Sequence, residues 1–283
     1  MNLAKKLAHA TTAPLRSRAF VDLRIKLLHL KINKFQPKIR FQIDLGQYLV
    51  KTAGTVEELH KVLRLRHQVF IEEGLGLNRI GGVDFDRYDL LGDHILLIKK
   101  DDNEVIGTYR LVCSLFSNKF YSENEFDLDS FFSVPGVKLE LGRACIHPDH
   151  RTGAAIHLVW KGMGRYAKLV GADYLFGCTS LYTTNFGEAN AVLNSFKPDS
   201  YSDEHHIRPI GIYRFQNRNS AIVSAERALE LTPPLLRSYI NAGAKIYGEP
   251  ALDEDFNCSD VLTILDMSQL SEKHAKKYVE QGS

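Results

Sequence analysis

The sequence of 283 residues has no long hydrophobic run and little cysteine. No stretch approaches the roughly 18 consecutive apolar residues that indicate a transmembrane helix, so none is predicted. The four cysteines are widely spaced and form no CxxC pair, which indicates reduced thiols in a cytoplasmic protein. Internal repeats and low-complexity segments are also lacking. The 44% of hydrophobic residues suffice for one large globular domain or two small ones.

A metal site has little support in the sequence. Cys145, His147 and His150 lie close enough along the chain to suggest ligands, but no fourth ligand has a recognisable spacing. A small buried cysteine beside two histidines in a turn is the simpler interpretation. We therefore predict no metal and no resident cofactor.

Acidic residues are almost absent from the first 40 residues, where Asp22 stands against ten basic side chains. The net charge of +2 divides into about +9 in this segment and about −7 in the rest of the chain. Such an arm favours an acidic partner: a lipid surface, nucleic acid or an acidic protein. No apolar segment follows Lys5 and Lys6, which argues against a secretory signal and leaves an organelle transit peptide as an alternative.

The basic segment also has an amphipathic pattern. Residues 13–35 predict a helix with Pro14 in its first turn, although the alternation over 23–32 also allows a strand. We assign residues 1–45 to a basic amphipathic N-terminal arm and residues 46–283 to a folded domain.

Periodicity and turn residues predict the elements of that domain. Residues 55–73 form a helix that Thr55 caps and Gly74 ends, and residues 94–114 form a hairpin. The remaining predicted elements are strand 137–147, helix 150–171, strand 172–180, helix 186–196, a helix and a strand within 233–250, and strand 260–267. This order predicts an α/β or α+β fold with a mixed sheet.

Charged residues interrupt the apolar strands, most clearly in "LELGRACIHPDHR" (139–151), which contains Glu140 and Arg143. Other charges in such surroundings are Arg66, Asp84, Asp86, Asp89 and Arg110. Buried charges must be paired or they cost several kcal/mol each, and a network of acids and arginines usually belongs to a functional site. For Glu140 and Arg143, an edge strand facing water is the alternative.

Gly142, between these two charges, is a natural position for a β-bulge. On a regular strand Glu140 and Arg143 would point to opposite faces, and a bulge re-aims the side chain that follows it. A bulge also leaves backbone N–H groups unpaired. These groups could bind the oxygen that becomes negatively charged during an acyl transfer.

A bulged strand that leads into a phosphate-binding helix N-terminus resembles the GNAT acyltransferase superfamily. "HRTGAAI", with Arg151 and Gly153, is a degenerate form of the superfamily's donor-binding loop, which suggests a donor other than acetyl-CoA. "LRHQVF", "VDFDRYD", "GTYRL" and "ELGRACIHPDHR" look like successive motifs of N-acyl amino acid synthases and acyl-homoserine lactone synthases. "PPLLRSYINAGAKIYGEPALDEDFNCSDVLTILDM" resembles the bacterial ornithine-lipid N-acyltransferases, also labelled hemolysin-like. The resemblance covers roughly residues 48–275.

This resemblance implies a GNAT-like mixed sheet flanked by helices and a defined reaction. A 3-hydroxyacyl chain would pass from acyl carrier protein, with acyl-CoA as an alternative donor, to the α-amino group of an amino acid, classically ornithine. Glu140 is the candidate base, and N–H groups near Ala144 and Cys145 are the candidate oxyanion donors. Direct transfer needs no enzyme nucleophile, so the Cys145 thiol should be dispensable.

The same resemblance assigns the remaining charged residues. Those expected to hold the acceptor or shape its cleft are Arg66, Asp84, Asp86, Arg110 and Arg143, and those expected near the donor include Arg151 and Gly153. For Arg66, a purely structural ion pair with an aspartate is an equal alternative.

The N-acyl amino acid that the resemblance implies as product is amphiphilic, so the enzyme would act at a membrane surface. We expect a cytoplasmic protein that the basic arm holds peripherally at the inner membrane, with acyl carrier protein and an amino acid as partners and no nucleic acid. Docking of acyl carrier protein is the alternative use of the arm.

The rival functions are an acetyl-CoA-dependent GNAT acetyltransferase and a non-catalytic, hemolysin-like membrane-binding protein. The charged cluster argues against the latter.

Overall fold

The computed structural model describes residues 18–151, 153–218 and 223–279. The helices are α1 (Arg18–Ile32), α2 (Val56–Arg66), α3 (Asp129–Phe132), α4 (Ala154–Val170), α5 (Phe186–Asn194), α6 (Ala225–Leu231), α7 (Pro234–Ala242) and α8 (Glu272–His274). The strands are β1 (Gln42–Leu45), β2 (Tyr48–Thr52), β3 (Asp93–Lys99), β4 (Glu104–Cys113), β5 (Phe126–Asp127), β6 (Lys138–Ile146), β7 (Tyr174–Leu181), β8 (Arg208–Pro209), β9 (Lys245–Asp253) and β10 (Cys258–Asp266).

Eight strands form one mixed sheet in the order β1-β2-β3-β4-β6-β7-β10-β9, while β5 and β8 pair separately. Only β6 and β7 of the eight run parallel, and α4 connects them. Every other neighbouring pair in this sheet is antiparallel. The predicted mixed sheet, with a βαβ unit at its centre and helices on its faces, is therefore confirmed.

The central parallel pair separates early. β6 and β7 are paired only where residues 138–140 face residues 174–176, although the two strands continue to Ile146 and Leu181. Their backbones are in close contact at the end of this pairing, since a Cβ atom built on Gly177 would lie 2.2 Å from the carbonyl oxygen of Leu141. Beyond this contact, β6 and β7 are not joined by a regular ladder of backbone hydrogen bonds.

A β-bulge lies on β6 one residue after Gly142. Thr108 of β4 faces Cys145 and Arg110 faces Gly142, so Arg143 and Ala144 together oppose Tyr109. Arg143 has a φ of 51°, a left-handed conformation that is uncommon for a residue other than glycine. The predicted bulge is confirmed. The residue in the strained backbone conformation is Arg143.

The predicted helix over 55–73 is confirmed as α2 followed by a π-helical segment, His67–Glu73. The side-chain oxygen of Thr55 accepts a hydrogen bond from the N–H of Glu58 at 3.2 Å. The predicted start of the next long helix at residue 150 is wrong. Pro148 begins a separate 3₁₀ turn through His150, and α4 begins only after Gly153, which has a φ of 48°.

The C-terminal part of the predicted arm packs on the domain. Residues 18–32 are helical, which excludes the strand alternative there, while residues 13–17 lie outside the described residues. Ile32 and Phe35 are buried in the hydrophobic cluster that contains Leu59 of α2. The Asp93 carboxylate accepts hydrogen bonds from the backbone N–H groups of residues 38 and 39, at 2.8 Å each. This segment is therefore part of the fold.

The sheet separates two large hydrophobic clusters. One lies under α4 and includes Ile95, Val159 and Tyr166, and the other lies under α2 and includes Leu59 and Cys145. None of the helices in the described ranges has the length and hydrophobicity required to cross a bilayer.

Candidate active site

The buried charges form one ion-pair network. Arg66, at the end of α2, binds Asp84 through Nε at 2.9 Å and Nη2 at 2.7 Å, and binds Asp89 through Nη1 at 2.6 Å. Arg110 of β4 binds both carboxylate oxygens of Asp86, at 2.7 and 2.8 Å. Burial disfavours the charged carboxylate of Asp84, but Arg66 and Arg143 outweigh that effect and hold its pKa below the ordinary value.

The aspartates of the network also shape the turn that carries them. Asp86 accepts a hydrogen bond from the N–H of Tyr88 at 2.8 Å, and Asp89 accepts one from the N–H of Asp86 at 2.8 Å. This reciprocal capping box fixes the 3₁₀ turn Arg87–Leu90. His94 lies beneath the turn, fully buried, with Nε2 3.0 Å from the carbonyl oxygen of Asp89.

The bulge directs Arg143 into this network. Its Nη2 lies 3.2 Å from Asp86 Oδ2, and its Nε lies 3.6 Å from Asp84 Oδ2. The guanidinium group lies between the rings of Tyr121 and Phe256, each centred 4.8 Å away. Its side chain is 14% exposed, against 0% for Arg66 and 1% for Arg110. A substrate can therefore reach Arg143 far more easily than the other two arginines.

The network holds more arginine than aspartate. Arg79, which is 44% exposed, adds a further contact to Asp84 at 3.4 Å. Four arginines then face the three aspartates at positions 84, 86 and 89, which leaves a surplus of one positive charge. The exposed members of this network can thus bind an anionic group, such as a carboxylate.

Glu140 lies beside the network with its carboxylate already engaged. It accepts hydrogen bonds from the N–H of Tyr121 at 2.9 Å, from the N–H of Ser122 at 2.7 Å and from Oγ of Ser122 at 2.8 Å. Burial raises its pKa, while Arg110 and these donors act in the opposite direction. Glu140 therefore positions the segment that carries Tyr121, and that segment covers Arg143.

The residues predicted near the donor lie further along β6 and in the turn that follows it. Cys145 is buried in the cluster under α2, and burial raises the pKa of its thiol to about 12. Arg151 pairs with both carboxylate oxygens of Glu73 at 2.6 Å. Gly153, the residue before α4, offers no side-chain cap. The first-turn N–H groups of α4 therefore lack this common intramolecular partner.

A second group of buried acids was not predicted from the sequence; we call it the acid cluster, and it consists of Glu125, Asp253 and Asp260. Glu125 precedes β5, Asp253 ends β9 and Asp260 lies in β10. The last two lie in the quoted segment "EPALDEDFNCSDVLTILDM", where acids beside an apolar strand were an available signal. Burial raises the pKa of all three carboxyl groups, that of Asp260 to about 6.

A small apolar cavity lies where β6 and β7 separate. Its volume is about 50 Å³, and it extends between α4, the sheet and the C-terminal segment. Residues lining it include Leu141, Met163, Phe176, Leu265 and Tyr278.

Comparison with known proteins gives matches over most of the chain. A family model described as an acetyltransferase (GNAT) domain matches residues 65–161, which contain the bulged strand β6, and the predicted GNAT-like fold is confirmed. The L-ornithine N(alpha)-acyltransferase of Rhodobacter capsulatus is 30% identical over 83% of this chain and 95% of its own. The protein of the same name from Agrobacterium fabrum is 28% identical over 83% and 86%.

Solved structures with a similar backbone fold include acyl-homoserine lactone synthases. A CoA-dependent synthase, BjaI, with SAM and isopentyl-CoA, has a TM-score of 0.46 and 17% identity. The match covers 79% of this chain and 81% of that one.

Proposed function

Because the chain belongs to the L-ornithine N(alpha)-acyltransferase family, we propose that it transfers a 3-hydroxyacyl group from acyl carrier protein to the α-amino group of ornithine, in lipid biosynthesis. The observation that carries this proposal is the bulge on β6, which places a partly exposed Arg143 at the point where the central sheet opens. A guanidinium group there can bind the α-carboxylate of an amino acid and hold its amino group against the bulge.

The reaction requires the transfer of two protons and no covalent enzyme intermediate. The α-ammonium group first loses one proton and becomes the free amine. Its nitrogen then attacks the thioester carbonyl carbon, the C–S bond breaks, the nitrogen loses a second proton and the sulfur gains one, so that one proton is released to solvent. We propose Glu140 as the proton acceptor, supported by its raised pKa and by its place beside Arg110. Backbone N–H groups at Ala144 and Cys145, after the bulge, would stabilise the oxyanion.

The donor would approach along the opening between β6 and β7. The phosphate of its pantetheine arm would bind at the N-terminus of α4, where Gly153 leaves the N–H groups free of a side-chain cap. Arg151 would have to exchange Glu73 for that phosphate. The acyl chain would enter beside Leu141, where the lining of the cavity is apolar, as a fatty acyl chain requires.

The position of the enzyme at the membrane is part of the proposal. Helix α1 exposes Leu23, Leu27 and Leu30, which share one face at helical spacing, by 53, 49 and 61%. Basic residues stand between them, at Lys26 among others. An exposed apolar face with neighbouring positive charge favours binding in the plane of an anionic membrane surface.

A transfer assay tests the function. Purified protein is incubated with 3-hydroxyacyl carrier protein and ornithine, and the products are identified by mass spectrometry. We expect an N-acylornithine from this mixture and little product from acetyl-CoA with the same amine. Efficient use of acetyl-CoA, with acyl carrier protein ignored, would instead favour an ordinary acetyltransferase.

A further inference from the structure

The acid cluster has an incomplete set of partners. Asp253 Oδ1 accepts hydrogen bonds from the N–H groups of Asp255 at 2.9 Å and Phe256 at 3.2 Å, and Asp260 Oδ1 accepts one from Ser180 Oγ at 2.7 Å. Glu125 is fully buried, and neither of its carboxylate oxygens has a hydrogen-bond partner among the described residues. A buried carboxylate without a donor is unfavourable, because nothing replaces the water it has lost.

The cluster also lacks a cation. Within the described ranges, no lysine, arginine or histidine lies within ion-pair distance of Glu125, Asp253 or Asp260. The charged groups that act most strongly on Glu125 are Asp260 and Asp253, and after burial they raise its pKa further. The ion-pair network around Arg66 has the opposite character, since each of its acids has an arginine partner. Arg143 attracts Asp253 and Asp260 from outside ion-pair distance, but burial and the neighbouring acids outweigh it, and the pKa of both carboxyl groups stays raised. Three buried acids in such surroundings match a ligand that carries positive charge.

The cluster can be reached from the proposed site. Ser180, which donates to Asp260, is exposed, and Cys178 on the same face of β7 is half-buried. Cys178 lies 3.3 Å from Ser122 Oγ, which also binds Glu140. Polar groups on this face of β7 therefore lie between the candidate base and the acid cluster.

We propose that Glu125, Asp253 and Asp260 bind the side-chain ammonium group of the acceptor amino acid, and so select a diamino acid over a neutral one. The inference rests on the proposed function. The acceptor would lie with its α-carboxylate on Arg143, its α-amino group near Glu140 and its second ammonium group in the acid cluster. A neutral side chain would leave the buried acids unpaired, and sites of that kind discriminate strongly between substrates.

The test compares ornithine with 2-aminopentanoate, which has the same carbon chain without the second amine. With 3-hydroxyacyl carrier protein as donor, the wild type should prefer ornithine by at least about 10² in kcat/KM. Glu125→Gln and Asp260→Asn should each lower that preference by at least about tenfold, mainly by raising the KM for ornithine. Their melting temperatures should equal or exceed that of the wild type, because each change removes repulsion between buried acids.

Asp255→Asn is the matched control, since Asp255 lies in the same turn as Asp253 but is exposed. It should leave the preference unchanged. If neither amino acid is acylated, the proposed function fails. If ornithine is acylated and both cluster variants keep the wild-type preference, the function stands and the assignment of the ammonium site is overturned. A divalent metal that copurifies with the wild type and is lost in Asp260→Asn would also overturn it, since the acids would then bind the metal.

Discussion

A single residue near β6 can both hold the backbone of the cleft in place and take part in proton transfer, and Glu140 is the clearest case. Its carboxylate holds the backbone of residues 121 and 122 through three hydrogen bonds, and Tyr121 in turn stacks on Arg143. The same carboxylate has a raised pKa because it is buried. One side chain therefore fixes the geometry of the cleft and can also accept a proton within it.

Glu140→Gln should lower both stability and turnover. The amide nitrogen must face one of two backbone N–H groups, so we expect a loss of about 1–3 kcal/mol in the free energy of unfolding. Turnover should fall by about 10² to 10⁴, and the acid limb of the pH–rate profile should disappear because the base is gone.

Ser122→Ala is the control for that loss, since it removes one donor and leaves the Glu140 carboxylate in place. We expect it to lose about 1 kcal/mol of stability and to keep the acid limb. An unchanged acid limb in Glu140→Gln would restrict Glu140 to positioning.

His94 should make folding sensitive to acid. Complete burial lowers the pKa of His94 from 6.5 to about 4. As the pH falls, the imidazole therefore takes up a proton near pH 6.5 in the unfolded chain but only near pH 4 in the folded protein. The stability that the neutral imidazole contributes is present above pH 6.5 and is lost as the pH falls through 4, by about 3 kcal/mol.

The matching variant is His94→Gln, which retains an N–H donor for the carbonyl oxygen of Asp89 and cannot titrate. Urea unfolding at pH 7 and pH 4 should show a smaller loss of stability in the variant. Equal losses in both proteins would mean that His94 does not carry the acid sensitivity.

At the scale of elements, the site depends on how β6 meets its two neighbours. It is bulged against β4 and paired with β7 over only three residues. Gly177 allows the closest approach of the parallel strands at the end of that pairing. The width of the opening is therefore set by backbone contacts and not by a loop.

Gly177→Ala should destabilise the protein by about 1–3 kcal/mol, because its Cβ atom would overlap the carbonyl oxygen of Leu141 and force β6 and β7 apart. Gly142→Ala is the control on the neighbouring strand. Its Cβ atom would lie no nearer than 3.7 Å to Arg110, so its stability should change by less than about 0.5 kcal/mol. Urea midpoints of the two variants check the difference, and equal midpoints would contradict it.

At the scale of the whole molecule, the basic N-terminal segment is both a part of the fold and a candidate membrane contact. Ile32 and Phe35 are buried under α2, so a deletion of residues 1–40 would damage the core as well as remove charge. The exposed face of α1 can be changed without that damage.

The triple variant Leu23→Ser, Leu27→Ser, Leu30→Ser should lose binding to anionic vesicles and keep its melting temperature, because all three side chains are exposed. Wild-type binding should weaken as salt is added, since each basic side chain contributes about 1 kcal/mol near an anionic surface and that field is screened. Vesicle sedimentation measures both effects. Leu229→Ser, at an equally exposed leucine of α6, is the control. Sedimentation of the triple variant at the wild-type level would exclude a membrane role for this face.

The sequence by itself determined most of the elements and the family. Apolar periodicity predicted α2, β6 and β7 because each repeats a local pattern that its own residues set. The bulge could be predicted because Gly142 lies between two charges on an apolar strand, and bulges re-aim such side chains. The ordered motifs around Arg66, Arg110 and Glu140 indicated the acyltransferase family before any distance was known.

Only the tertiary structure decided how the charges are distributed. Glu125 and Asp260 are 135 positions apart, and no local pattern indicates that the two acids share a buried cluster. The engagement of Glu140 by Ser122 and the burial of Arg66 likewise depend on which strands become neighbours. The periodicity of apolar residues indicates which face of a helix or strand is buried. The partner of a buried charge depends on the order and register of the sheet, which long-range contacts establish, and that partner decides whether the charge is neutralised or left to bind a ligand.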